Sequence, residues 1–362
     1  MSKPIYNHEN EERYPHAADA LERQFAENGF SRGWAMHQKP VARRCFDCHV
    51  HYAGTGVLAF VDALRGYAQT AEAMESDRAL LIMRVHGAKN DNTVPTSDAT
   101  ETEDIFPHWF SVDEAKTNMD CAPFEDRFFW AAWLDHREPD LQLIHASANA
   151  GARAIKLHNA PVIENNAPYD LWLSNEWQDA FNVIGQLELP VLFHVTQRLT
   201  SSIYTGGGRN TYWEKGWKNG VTYGNEELLQ AFLECCRRRP EVAFIGAHQL
   251  HVGWERLDDL FAALPNLYVD TTVGCMLRLF DNFYPHDQEY LRKVFIRWAD
   301  RIIFGTDSLW GLQSLSDYAS NLTQHLRFIY ALDLPEDVLE LILHGNIERL
   351  CHINGHAATT YK

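Results

Sequence analysis

Phe46-Asp47-Cys48-His49-Val50-His51 (residues 46–51) begins apolar and ends on two histidines spaced two residues apart. Side chains at i and i+2 of a strand share a face, so His49 and His51 point the same way and lie close enough to share a divalent ion. Three other apolar runs end on a residue able to bind metal or move protons. His194 closes LPVLFH (189–194), His248 closes VAFIGAH (242–248), and Asp307 follows RIIFGT (301–306).

Outward from these runs a unit repeats, a short apolar stretch followed by an amphipathic one. Strands are predicted at 44–48, 79–85, 128–134, 153–157, 190–194, 241–247, 267–271 and 301–305. Helices are predicted at 57–74, 226–239 and 314–332. Eight strands alternating with helices imply an α/β fold with a parallel sheet closed into a (β/α)8 TIM barrel, a doubly wound open sheet being the alternative. In the barrel the four strand exits converge on one rim, where such enzymes keep their active sites. Residues 1–43 read as an N-terminal extension and 44–362 as the barrel domain. Residues 86–122 and 195–224 read as long loops, the second carrying a Gly-rich hinge at 205–208 and aromatic residues suited to a lid.

The chain has 362 residues, 46% hydrophobic and 12% aromatic, enough for a large core. Its 32 Lys and Arg against 49 Asp and Glu give a net charge of −17, which excludes the basic face that nucleic acid or an anionic membrane requires. A small-molecule substrate is the expected partner. The polar N-terminus lacks the apolar core of a signal peptide, no 18-residue apolar run occurs, and seven scattered cysteines suit a reducing cytoplasm. The acidic surface and the N-terminal segment point to a homodimer.

FDCHVH (46–51), LFHV (192–195), IGAH (245–248) and FGTDS (304–308), with LPNLYVDTT (264–272) and ILHGNIERL (342–350), resemble successive strand-end motifs of the amidohydrolase superfamily. The branch resembled is the amidohydrolase-related one, which holds aminocarboxymuconate-semialdehyde decarboxylase, dihydroxybenzoate decarboxylases and hydrolases. The resemblance implies metal ligation by His49, His51, His194 and Asp307, with His248 beside the water or substrate. It implies one divalent ion per chain, Zn2+ first and Mn2+ as the alternative given the imidazole-rich set. Asp307 would take a proton from the nucleophilic water and His248 would stabilise an oxyanion.

Lys156, in GARAIKLHNAP (151–161), stands where some superfamily members carry a carboxylated lysine bridging two metals, so it is either such a bridge or a pocket residue. His158 shares its strand face. Arg84 and Arg198 at strand exits and Tyr212 and Trp213 in the second long loop are candidate substrate contacts.

The expected reaction is metal-dependent hydrolysis of an amide, ester or lactone carbonyl. The alternative is non-oxidative decarboxylation of a small carboxylic acid. Benzoate-type decarboxylases of this branch tend to carry Glu three residues after the position of His248, where this chain has His251, which favours the hydrolase. A catalytically inactive metal-binding protein is the reading from another class, although no ligand position is visibly degraded.

Overall fold

The apolar runs form parallel strands that return to the first. A computed structural model describes residues 45–52, 78–86, 109–121, 127–137, 139–196, 211–252, 254–272, 288–310, 318, 322, 325–326 and 328–353. The strands are β1 (Phe46–Tyr52), β2 (Arg78–His86), β3 (Phe110–Ser111), β4 (Phe128–Trp133), β5 (Ala154–His158), β6 (Val191–His194), β7 (Phe244–Gly246), β8 (Leu267–Asp270), β9 (Ile302–Ile303) and β10 (Ser308–Trp310). They pair in the order β10-β1-β2-β4-β5-β6-β7-β8-β9, all parallel, with β3 added beside the end of β2.

β9 and β10 are two pieces of one final stave. The first pairs with β8 and the second with β1, and the Cys48 amide donates to the Phe304 carbonyl at 3.1 Å. First and last strands therefore meet, which makes the fold a TIM barrel and removes the open-sheet alternative. The break falls at Gly305-Thr306-Asp307. A Cβ at Gly305 would lie 2.9 Å from Thr272 Cγ2 and 3.0 Å from Cys48 Sγ, so only glycine lets β1, β8 and this stave approach so closely.

Strand alternation sorts the apolar side chains into two cores. Leu80, Ile82, Ala131, Trp133, Ala154, Leu192, Ile245, Tyr268 and Ile303 fill the lumen. Their neighbours Leu81, Met83, Ile155, Leu157, Val191, Phe193, Phe244 and Val269 join the larger core under the helices. In the lumen phase the carboxyl ends of the strands turn polar, at Arg84, Lys156, His158, His194 and Asp270. β1 reaches Tyr52, beyond its predicted end, so both histidines lie inside the strand. Its pairing with β2 slips from Asp47–Ala79 to Val50–Leu81, a bulge that keeps Phe46 and Cys48 in the lumen core below while pairing His51 with the lumen residue Ile82.

The expected helix at 226–239 is present at Asn225–Arg238. The described residues of 314–332 are helical up to Ala331, with Tyr318, Leu322, Leu326 and Ile329 buried at helical spacing. Both predicted long loops contain helices, which corrects that expectation. α1 (Val112–Asp120) opens with a capping box, the Glu114 amide donating to Ser111 Oγ at 3.1 Å and the Ser111 amide to Glu114 Oε2 at 2.7 Å. α2 (Ala160–Glu164) follows β5, and α3 (Thr211–Lys218) packs on it. A Cβ at Gly216 of α3 would lie 2.6 Å from Ile163 Cγ2, so the glycine that weakens the sequence signal for a helix is what allows that seating. Residues 1–43, the predicted helix 57–74 and the Gly-rich stretch 205–208 lie outside the described residues.

Candidate metal centre

The strand ends bring His49, His51 and Asp307 together so that one ligand atom from each lies within 4.8 Å of the others. His49 Nε2 and His51 Nε2 are 3.1 Å apart, and Asp307 Oδ1 is 3.3 Å from the first and 3.4 Å from the second. Asp307 sits at φ 56°, in the left-handed region, a conformation that turns its carboxylate towards β1. Thr306 anchors that turn, giving its amide to Asp47 Oδ1 at 2.9 Å and its hydroxyl to Asp47 Oδ2 at 2.5 Å.

His49 has its tautomer set from behind. Nδ1 donates to Asp270 Oδ2 at 2.8 Å, which leaves the Nε2 lone pair facing Asp307. Asp270 also accepts from the His248 amide at 2.8 Å and from Thr272 Oγ1 at 2.5 Å. Since the Thr272 hydroxyl spends its proton there, it accepts from His248 Nδ1 at 3.0 Å, and His248 Nε2 faces Asp307 Oδ2 at 3.8 Å.

His194 lies outside the three-residue cluster. Its ring packs against His158 at 4.2 Å and His248 at 4.4 Å between centroids, and its buried Nε2 has no hydrogen-bond partner. Lys156 Nζ stands 3.0 Å from His49 Nε2. His158 stacks on Trp133 (5.5 Å, 19°) and meets Tyr212 edge-on at 6.2 Å. The Arg84 guanidinium is sandwiched between Trp109 at 4.0 Å and Trp133 at 5.1 Å. Trp213 does not face the site, being buried in a satellite core with Ile163, Val221, Tyr223 and Leu228, and it packs α3 onto the barrel. Arg198 lies outside the described residues. Cys45 and Cys48 are buried.

An ionised Asp307 and neutral imidazoles suit a cation here, whereas the charge of Lys156 opposes one. Burial pushes the Asp307 carboxyl up, but His49, His51 and Lys156 outweigh it and hold it below the ordinary range. Burial also makes His49, His51, His158 and His194 weaker bases than usual, so they stand neutral. Lys156 is brought down to about 8 by burial, and burial raises Asp270 to about 6 and Asp47 to about 7. An orphaned Nε2 on His194 and three acceptor atoms converging within 3.4 Å fit a divalent ion better than they fit one another.

Sequence reasoning passed over Asp270 and Thr272, and it read His251 only as a departure from the decarboxylase pattern. The strand-exit rule that selects Asp307 selects Asp270 equally, at the end of LYVD. The place of His251 beside His248 was hidden because four successive residues, His248 to His251, have φ between 50° and 57°, a left-handed turn that no strand or helix period predicts. That turn stacks His251 on His248 (5.0 Å, 16°), while His251 Nδ1 donates to the Thr196 carbonyl at 3.1 Å.

A family model described as amidohydrolase matches residues 46–353. No curated protein matches the chain. Among solved structures, a putative amidohydrolase from Staphylococcus aureus superposes with a TM-score of 0.52 at 15% identity, covering 85% of this chain and 99% of its own. A dihydroxybenzoic acid decarboxylase from a Polaromonas species, with bound manganese and 2-nitroresorcinol, gives 0.49 at 16% identity over 88% and 100%. A probable 2-pyrone-4,6-dicarboxylic acid hydrolase from Acinetobacter baumannii, with citric acid bound, gives 0.47 at 11% identity over 85% and 99%.

Proposed function

The chain belongs to the amidohydrolase family, and from that premise we propose that it is a metal-dependent hydrolase acting on the amide, ester or lactone carbonyl of a small organic substrate. The observation carrying this reading is the convergence of His49 Nε2, His51 Nε2 and Asp307 Oδ1, with His194, whose buried Nε2 is unpartnered, packed against His248. His49, His51, His194 and Asp307 would hold one divalent ion, zinc by ligand type and manganese as the alternative, which when bound acidifies water and polarises a carbonyl.

The chain's own groups supply the proton path. Asp307, kept ionised by its cationic and imidazole neighbours, accepts a proton from the attacking water. His248 has Nδ1 committed to Thr272, so its Nε2 carries the lone pair and takes that proton from Asp307 Oδ2, 3.8 Å away. Once protonated it donates to the oxyanion or the leaving group. Asp270, fixed by four donors, holds both His49 and His248 in the required tautomers.

The test is metal analysis together with turnover of a panel of lactones, amides and hydroxybenzoates. His49→Ala and Asp307→Ala should lose metal and activity together. His248→Asn should keep its metal and lose roughly 10²–10⁴ in kcat. Stoichiometric metal in the first two variants would remove the ligand assignment, and release of CO2 from a hydroxybenzoate without hydrolysis of any ester or amide would replace the hydrolase by a decarboxylase.

A further inference from the structure

His158 ends β5 in register with His194 on β6, one strand turn above Lys156, and it shares the rim without joining the ligand cluster. Its chemistry is set by one bond. The Ala160 amide donates to His158 Nδ1 at 2.9 Å. An amide N–H can only donate, so Nδ1 carries a lone pair and the ring is the neutral tautomer with its proton on Nε2. The donor is well placed for this duty. Ala160 opens α2, where the first amides have no partner within the helix, the next residue is Pro161, and Asn159 gives no side-chain cap. The imidazole therefore stands in for the missing cap.

The ring has no freedom to exchange its edges. Trp133 stacks on it, His194 lies against it at 4.2 Å, Tyr212 closes its edge, and a flip would present a carbon to the Ala160 amide and leave that buried N–H unbonded. On the opposite edge, Nε2–H has no hydrogen-bond partner among the described residues. A metal requires a lone pair at the ligating nitrogen, and Nε2 has none while the Ala160 bond stands.

Resting on the hydrolase reading above, we propose that His158 is a catalytic residue of that site, a fixed neutral N–H donor to the reacting carbonyl oxygen of the substrate and not a metal ligand. It supplies what neutral His248 lacks, a ring N–H not already committed to a partner among the described residues before any proton has moved. The cost of reorganising it in the transition state is small because Trp133, His194 and the Ala160 amide already hold it.

Two measurements test this. In protein labelled with 15N-histidine, with His158 assigned by difference against His158→Gln, Nε2 should show a directly bonded proton and Nδ1 should not. Both resonances should keep that character when the metal-free protein is titrated with Zn2+ alone. Loss of the Nε2 proton on zinc addition would make His158 a ligand and overturn the proposal. In the zinc-loaded enzyme, His158→Leu should keep its metal and lose roughly 10²–10³ in kcat/KM, and His158→Gln, which retains an N–H donor, should recover a large part of that loss. Unchanged turnover in His158→Leu, or metal lost in both variants, would also overturn it. A wild-type protein that hydrolyses no member of the panel counts against the hydrolase reading and leaves the resonance experiment to decide between donor and ligand.

Discussion

Asp270 takes hydrogen bonds from His49 Nδ1, the His248 amide, the Thr272 amide and the Thr272 hydroxyl, so one carboxylate at the end of β8 governs two imidazoles on other strands. Lys156 stands on the opposite side of His49, fully buried, and its charge opposes a cation on that nitrogen. Its folded value of about 8 lies below the usual 10.5, so between those values the unfolded chain binds more protons and stability rises with pH. The buried charge is a cost below pH 8 and none above 10.5. Metal-free Lys156→Met is therefore expected to be the more stable protein at pH 7, by about 3 kcal/mol, with the gap closing as denaturation is repeated towards pH 10. With zinc supplied the variant should hold about one equivalent per chain, and two equivalents in the wild type would make the lysine a bridge. At this scale the sequence was informative wherever a candidate site residue ends an apolar run, as His49, His51, His194, His248 and Asp307 do. It was silent on tautomers, because the partners that set them, Thr272 and the Ala160 amide, are ordinary residues whose role exists only in three dimensions.

The turn at His248–His251 is the element that propensity rules would reject. Left-handed backbone costs L-residues roughly 1–2 kcal/mol each, and none of the four is glycine. Surrounding bonds hold it in place. Gln249 Nε2 donates to the Asp270 and Thr272 carbonyls at 2.6 and 2.9 Å, and Thr196 Oγ1 donates to the Leu250 carbonyl at 2.5 Å. Gly246 leaves room for Leu250, whose Cδ2 would lie 2.4 Å from an added Cβ. Gln249→Ala strands two buried carbonyls and releases the turn, so it should cost about 1–3 kcal/mol in a denaturant titration. It should also lower kcat more than it raises KM, because His248 loses its aim while Arg84 and His158 do not; an unchanged kcat would show that the turn holds its shape without Gln249. The strands were legible because alternation is a local pattern, whereas α1 was missed inside a stretch read as a loop although its capping box is local. α3 and this turn were not legible, since a glycine and four left-handed residues each break a local rule for the sake of a contact elsewhere.

For the whole molecule the decisive feature is closure through a broken stave. His49 and His51 ride on the first strand and Asp307 on the junction that joins β8 to β1. An ion shared among them would tie the two ends of the barrel together and would bind only the folded state. Removing it with a chelator should lower Tm by roughly 5 °C for an ion held at a thousandfold excess over its dissociation constant, and zinc should restore it. His49→Ala should show no such dependence. An equal loss in that variant would mean that the chelator acts elsewhere. No helix among the described residues is long and apolar enough to cross a membrane. The barrel itself was readable from the eight apolar runs; that its last strand is split in two was not, because the interruption is only Gly305-Thr306-Asp307 within a continuous apolar stretch.

The split stave also orders events in time. A ribosome releases His49 and His51 early and Asp307 only when most of the chain has been made. Until then the two histidines lack the carboxylate that faces their Nε2 atoms, and no arrangement of the nascent segments can complete the centre. Catalytic competence is thus withheld from every incomplete product, whether a stalled translation, a truncated fragment or a chain clipped before its last strand, and the finished centre certifies that the barrel has closed.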